Sequence, residues 1–423
     1  MKRTIIILTL IVLSVSAFAL VCEPEHRISA KDFYIMPMTN EVSARDGEWT
    51  CDEDYEDYFQ TIYDCGFNTA GFMPVKYLHL AKKYNIMTNI QCTNLIDKSI
   101  TDNNKRAEDW AKKIAAAVPE DLTDYILRIY VKDEPKLSDV PELKAYSQAI
   151  KKYTKFQPYI NLNPNYADLN YLQAKSYYEY ADTITKECGL DYVCYDNYSI
   201  DTDEGLQEKR FYSNLEEISK VADDNNVGFI NIISSTAHFN YAMPSDWSIN
   251  VQVWSTLAYG GKGIAYFKWI DPQRTNYRGS AIDHFGNKTP TYNIIKNVNY
   301  ALHNIGWCYT KLQHKNTFHI GKVPEGCKTY EDRQFIDQME SSSRDDNLVV
   351  GEFTDKEGTP YAVVVNKSQT ESNHIRSISF KGCKGVNLIE EYSNKNRRER
   401  DFCSWSELMW IAPGHGVLLK GVK

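Results

Sequence analysis

From Asp32 to about Ala301 the chain alternates short apolar runs, rich in β-branched and aromatic residues, with polar Lys- and Glu-rich segments of helical period. That alternation predicts parallel strands joined by covering helices. Eight runs read as strands: Phe33 to Met38, Thr69 to Met73, Ile86 to Gln91, Ile126 to Lys132, Phe156 to Leu162, Tyr192 to Tyr195, Gly228 to Ser234, and Gly263 to Trp269. Between them, Asn104 to Val118 places Trp110, Ile114 and Ala117 along one face, and Asn214 to Asp223 does so with Leu215, Ile218 and Ala222. Eight strands within about 270 residues suit a (β/α)8 TIM barrel, whose usual size is about 250. A doubly wound open sheet would show the same alternation; the strand count and the carboxylates at strand ends favour the barrel.

A helical segment from Thr291 to Leu312 closes this region, and after the polar stretch around Ser341 to Asn347 the period changes to that of antiparallel β. Leu348 to Phe353, Tyr361 to Asn366, Ile375 to Phe380, Asn387 to Tyr392 and Gly416 to Leu419 are the expected strands, punctuated by Gly358-Thr359-Pro360 and Pro413-Gly414. The expected division is a barrel over residues 20–340 and a small C-terminal antiparallel β-sandwich over 341–423. Ahead of both, Met1-Lys2-Arg3, an apolar run to Val15 and Ala17-Phe18-Ala19 follow the order of a secretory signal over residues 1–19. A secreted or extracytoplasmic protein is therefore expected. No other stretch approaches the ~20 apolar residues of a bilayer span.

The ten cysteines are even in number, which in an exported chain favours some disulfides, and none has C-x-x-C spacing. A net charge of −8 argues against nucleic acid as a partner, because phosphate binding requires clustered Lys and Arg. Thirty tyrosines and eight tryptophans supply flat faces suited to sugar rings, although core filling accounts for most of them.

In a parallel barrel the reactive groups lie where strands end, so the residues there matter most. The fourth run ends in Asp133-Glu134-Pro135. Two adjacent carboxylates repel, so one keeps its proton to higher pH, as a general acid requires. The structural alternative is that Asp133 caps the next helix with Pro135 in its first turn. The sixth run leads to Asp196, flanked by Tyr195 and Tyr198, and Asp271 after Trp269 is a weaker third carboxylate.

Asp133-Glu134-Pro135 resembles the Asn-Glu-Pro that ends the fourth strand in the large retaining clan of barrel glycoside hydrolases. The resemblance implies that Glu134 is the acid/base, that Asp133 stands where an Asn would bind the sugar 2-hydroxyl, and that Trp269 stacks on a sugar. It fails at the seventh strand, where that clan carries its nucleophilic Glu and this chain has Ile232-Ile233-Ser234-Ser235-Thr236. Two other arrangements then come into view. Carboxylates on strands four and six resemble the α-galactosidase type of barrel, with Asp196 as the partner. Adjacent Asp133 and Glu134 resemble the hexosaminidase type, in which the substrate's own acetamido group attacks.

Asn161, Asn163, Tyr195, Tyr198, His238, Trp254 and Trp269 are the expected substrate contacts, since amides, phenols and indoles suit hydroxyl-rich ligands. No metal-binding or serine-hydrolase motif appears, and no cofactor is expected. The expected function is cleavage of O-glycosidic bonds in an extracellular oligo- or polysaccharide. The competing expectation, raised by the empty seventh strand, is a carbohydrate-binding barrel without catalysis.

Overall fold

The computed structural model describes residues 26–38, 52–202, 205–272, 276–341, 347–391, 399–402 and 410–423. The expected signal segment, Cys22, Cys51, Tyr392 and Cys403 lie outside the described residues. Eight parallel strands form one sheet: β1 (Tyr34–Pro37), β2 (Thr69–Met73), β3 (Met87–Ile90), β4 (Ile126–Asp133), β5 (Gln157–Leu162), β6 (Tyr192–Asn197), β7 (Gly228–Ser234) and β8 (Gly263–Phe267). Neighbours run β1-β8-β7-β6-β5-β4-β3-β2. The two ends of that order, β1 and β2, meet at Asn68, whose Oδ1 accepts from Ile35 N at 2.9 Å and whose Nδ2 donates to Phe33 O at 2.9 Å. The sheet thus closes into a TIM barrel.

Each strand is followed by a helix: α1 (Asp52–Asp64), α2 (Leu78–Tyr84), α3 (Asn103–Ala117), α4 (Val140–Tyr153), α5 (Tyr177–Cys188), α6 (Glu208–Asn225), α7 (Asp246–Ala258) and α8 (Pro290–Tyr309). Side chains alternate between the two faces of a strand. Tyr34, Met36, Phe72, Tyr159, Cys194, Ile230, Ile232 and Ala265 fill the barrel interior. Their neighbours Ile35, Ile160, Val193, Tyr195, Ile233 and Ile264 face the helices in a larger core. Within the described residues no helix is long and apolar enough to cross a membrane.

The second unit is larger than expected. Strand β9 (Gln313–Gly321) pairs antiparallel with β11 (Asn347–Thr354), and β10 (Ile336–Ser341) pairs with β13 (Asn373–Phe380). The β-domain therefore begins near Gln313 and not at 341, because residues assigned to the barrel supply two of its strands. With β12 (Pro360–Asn366), β14 (Gly385–Ile389), β15 (Glu399–Asp401), β16 (Trp410–Ile411) and β17 (Gly416–Val422), it forms a six-stranded sheet, β9-β11-β12-β17-β14-β15, and a three-stranded one, β10-β13-β16. Leu348, Val350, Ala362 and Val364 turn toward the smaller sheet. Val349, Phe353, Val363 and Val365 turn toward the barrel core.

Burial on both faces explains the apolar run of β12 and the mostly apolar one of β11, which Glu352 interrupts. It also accounts for α7, in which every residue from Trp247 to Ala258 is buried; its polar side chains Gln252 and Thr256 bond back to the helix backbone at Ser248 O and Gln252 O, both at 2.7 Å. The contact is close at Gly351, where a Cβ would lie 1.9 Å from Ala258 O. Among the described residues Cys65, Cys92, Cys188, Cys194, Cys308, Cys327 and Cys383 are all free thiols, against the expected disulfides. They are dispersed among separate cores, and burial pushes the thiols of Cys92 and Cys188 up to about 11.

Candidate active site

Strand parity decides which side chains reach the barrel mouth. On β5, Asn161 shares the inward parity of Tyr159; on β6, Asp196 shares that of Cys194; and Asp133 is the register partner of Asn161 across β4 and β5. The Asn161 amide donates to Asp133 Oδ1 at 2.9 Å and to Asp196 Oδ1 at 2.8 Å. Its backbone carbonyl accepts from Glu134 N at 2.9 Å. One asparagine therefore holds all three acidic residues, two by its side chain and one by its main chain.

Glu134 has φ +46°, in the left-handed region that a residue with a Cβ enters at a cost of about 1 kcal/mol. Its neighbours hold it there. Tyr180 Oη donates to Pro135 O at 2.8 Å, and Asn163 Nδ2 reaches the same carbonyl at 3.3 Å. Asn163 in turn is fixed by Tyr177, whose hydroxyl donates to its carbonyl at 2.7 Å. Expected to bind substrate, Asn163 instead anchors the loop after β4.

The electrostatics separate the acids. Asp196 is almost fully buried, and burial, then the charges of Glu134 and Asp133, push its carboxyl up to about 8 against the opposing Asn161 hydrogen bond. Glu134 is exposed at the lip, yet desolvation of its carboxyl, reinforced by Asp133, also raises it. No cation among the described residues pairs with Asp133, Glu134 or Asp196. A cluster of acids without a countercharge retains a proton at neutral pH.

Beside the acids stands a group of rings. Tyr198 stacks on Phe267 with centroids 5.1 Å apart, and His238 meets Tyr198 edge-on at 5.4 Å. His238 lies flat on Tyr277 at 4.9 Å, and its Nδ1 is 3.2 Å from Thr236 O. Burial, with Lys268 nearby, lowers its pKa, so the ring is neutral at pH 7. Tyr166 joins the group by accepting from Tyr198 N at 3.3 Å.

Three expected contacts lie elsewhere. Tyr195 faces the helices, because its neighbour Asp196 takes the inward position. Trp254 lies mid-way along buried α7, against Gly416 of the β-domain. Trp269 packs edge-on to Phe67 at 5.0 Å and beside Tyr292, in the layer between barrel and helices. The chain leaves the sheet at Phe267, which brings that ring, and not Trp269, to the mouth. Asp271 accepts from Gly279 N at 2.9 Å and Ser280 N at 3.0 Å and so braces the loop after β8. Phe267 and Tyr277 are mouth residues that the sequence reading missed; the shared parity of Ala265 and Phe267 was the available signal for the first. Among the described residues no group of three or more His, Cys, Asp or Glu is arranged to hold a metal ion.

No protein-family model and no curated protein matches this chain. Solved structures similar to it include an endo-β-1,4-mannanase from Thermotoga petrophila, 12% identical, covering 83% of this chain and 96% of that one, with a TM-score of 0.47. A family 39 glycoside hydrolase from Bacteroides cellulosilyticus WH2 is 12% identical over 94% of this chain and 82% of its own, at a TM-score of 0.48. A GH51 arabinofuranosidase from Xanthomonas axonopodis pv. citri is 9% identical over 95% and 98%, at 0.44.

Proposed function

We propose that this chain is a glycosidase that cleaves O-glycosidic bonds of an oligo- or polysaccharide outside the cytoplasm, with Asp196 and Glu134 as its two working carboxyls. The observation that carries the reading is the acid cluster at the barrel mouth, joined through Asn161 and without a paired cation among the described residues. Glycoside cleavage needs one carboxyl that gives a proton to the departing oxygen and another that stays ionised to attack or to activate water. Asp196, lifted past neutrality, is the group that holds the proton at pH 7. Glu134, at the exposed lip, is then the ionised partner, which exchanges the roles expected from the sequence. The tie between Asp133 on β4 and Asp196 on β6 favours paired carboxylates over a substrate-assisted reaction. The rings of Tyr198 and Phe267 offer an apolar wall for a sugar face, and neutral His238 adds a polar edge. The N-terminal signal pattern supports export.

The test compares Asp196→Asn and Glu134→Gln on aryl glycosides with good and poor leaving groups. A variant lacking the proton donor still cleaves dinitrophenyl glycosides, which need no protonation, and loses its rate on poor leaving groups. A variant lacking the ionised partner loses both. The opposite assignment of these two patterns would return the donor role to Glu134. Wild-type silence on aryl glycosides and on polysaccharides would sink the glycosidase reading in favour of a carbohydrate-binding barrel.

A further inference from the structure

Five non-glycine residues in the described chain have positive φ: Asn85, Glu134, Gln173, Asn226 and Phe239. Asn85, Gln173 and Asn226 end helices, where a left-handed residue satisfies the last carbonyls. Glu134 belongs to the site already described. Phe239, with φ +47°, remains, and for a bulky aromatic side chain that conformation is an outlier. Strain of this kind persists only where surrounding structure imposes it.

The surroundings do impose it. Asn276, on the loop after β8, accepts from Phe239 N and donates to Phe239 O, both at 3.3 Å. On the other side Thr202, on the loop after β6, donates through its backbone N to Asn240 O at 3.1 Å and through Oγ1 at 2.8 Å. Two loops thus clamp the backbone around a ring that is 75% exposed. The ring is not isolated. Its centroid is 5.4 Å from that of His238, and His238 meets Tyr198, so a line of rings leads outward from the acid cluster to Phe239. The loop after β8 carries a second exposed phenylalanine, held, among the described residues, only within its own turn. Phe285 is 87% exposed on a turn in which Asp283 Oδ1 accepts from Phe285 N and Asn287 N.

We propose that Phe239 is a stacking platform for sugar units remote from the cleaved bond, so that the substrate is a polysaccharide several units long. The proposal rests on the glycosidase reading and deepens it. A pyranose ring has an apolar C–H face that covers an exposed phenyl ring, and a platform held in advance loses little entropy on binding.

The experiment is native electrophoresis in gels containing soluble mannan, xylan, arabinan or β-glucan, run with wild type, Phe239→Ala, Phe239→Gly, Phe239→Trp and Glu134→Gln. Glycine relieves the strain at this φ and alanine does not, so a loss common to both reports the ring and not the loop. At least one polymer should retard the wild type, with affinity reduced about tenfold in both small variants and restored by tryptophan. The ratio of kcat/KM on that polymer to kcat/KM on its short aryl glycoside should fall in step. Retardation that survives loss of the ring, or no retardation of the wild type by any of the polymers, overturns the platform. So does a change in oligomeric mass on removing the ring, which would mean that it covers a second copy of this chain. If retardation depends on the ring but no substrate turns over, the platform stands and the glycosidase reading falls.

Discussion

At the barrel mouth Asp196 lies buried with one side-chain donor among the described residues, the Asn161 amide, on its carboxylate and two other acids close by, whereas Glu352 of β11, buried more deeply still, is fully provided for. Glu352 Oε1 accepts from Phe335 N at 2.6 Å and Ile336 N at 2.8 Å, and Oε2 from Gln334 N at 2.7 Å and Asn316 Nδ2 at 3.0 Å. Lys367, at the junction of the two domains, is likewise enclosed, donating to Lys322 O at 2.7 Å and pairing with Glu208 at 3.4 Å. A buried charge with a complete set of partners holds structure together. A buried acid left short of partners beside like charges destabilises the fold and keeps a proton available for transfer. The molecule contains both, and the difference separates scaffold from site.

The comparison breaks most visibly on turnover. Asp196→Asn and Glu134→Gln should each lower kcat on a poor-leaving-group substrate by about a thousandfold, the scale of general acid–base catalysis, without loss of folded protein. Steady-state kinetics alongside circular dichroism checks both halves. A variant that loses activity only because it unfolds would place these acids with Glu352.

The reverse is expected in the β-domain. Glu352→Gln turns an amide NH2 toward groups that are themselves donors, leaving N–H groups unpaired, and should cost about 3 kcal/mol of stability. Urea titration measures the loss, and kcat per folded molecule should stay as in the wild type. An unchanged urea midpoint would mean that a full set of N–H donors does not make a carboxylate structural.

Most of the barrel was legible in the sequence because its strands are apolar runs bounded by polar helices, and all eight fall where the runs do. The acids were legible because they end strands, and Pro135 marks such an end. What escaped was set by parity and by partners far along the chain. Tyr195 and Asp196 are adjacent on one strand and cannot both face inward, a rule that needs the register and not the residue type. Trp254 reads as a ligand contact until the β-domain is found packed over α7. The domain boundary was misplaced because β9 follows α8 directly and pairs only with a strand some thirty residues later.

A pH-dependent effect sharpens the cost of the site. The folded-state value of about 8 for Asp196 stands above the ~4 of an unfolded aspartate, so the folded protein holds a proton that the unfolded chain releases between those limits. The stability contributed by the protonated carboxyl is complete below about pH 4 and is lost as pH rises through about 8. An asparagine there does not titrate. Asp196→Asn should therefore match wild type near pH 4 and exceed it by about 5 kcal/mol at pH 8, at ~1.4 kcal/mol for each unit between the two values, read from melts across that range. A constant difference at all pH values would show that Asp196 is ionised in the folded protein.

The smallest effect tests a side chain between the two regions. Tyr195 is fully buried facing the helices, and its hydroxyl meets no hydrogen-bond partner among the described residues. A buried hydroxyl without a partner has lost its water for nothing in return, so Tyr195→Phe should leave stability unchanged or raise it by up to about 1 kcal/mol. Because the ring points away from the mouth, kcat and KM should also be those of the wild type. A raised KM would put the phenol within reach of substrate and reverse the strand parity argued for β6. With that parity reversed, Asp196 would face the helices, and the acid cluster would lose the member that keeps its proton.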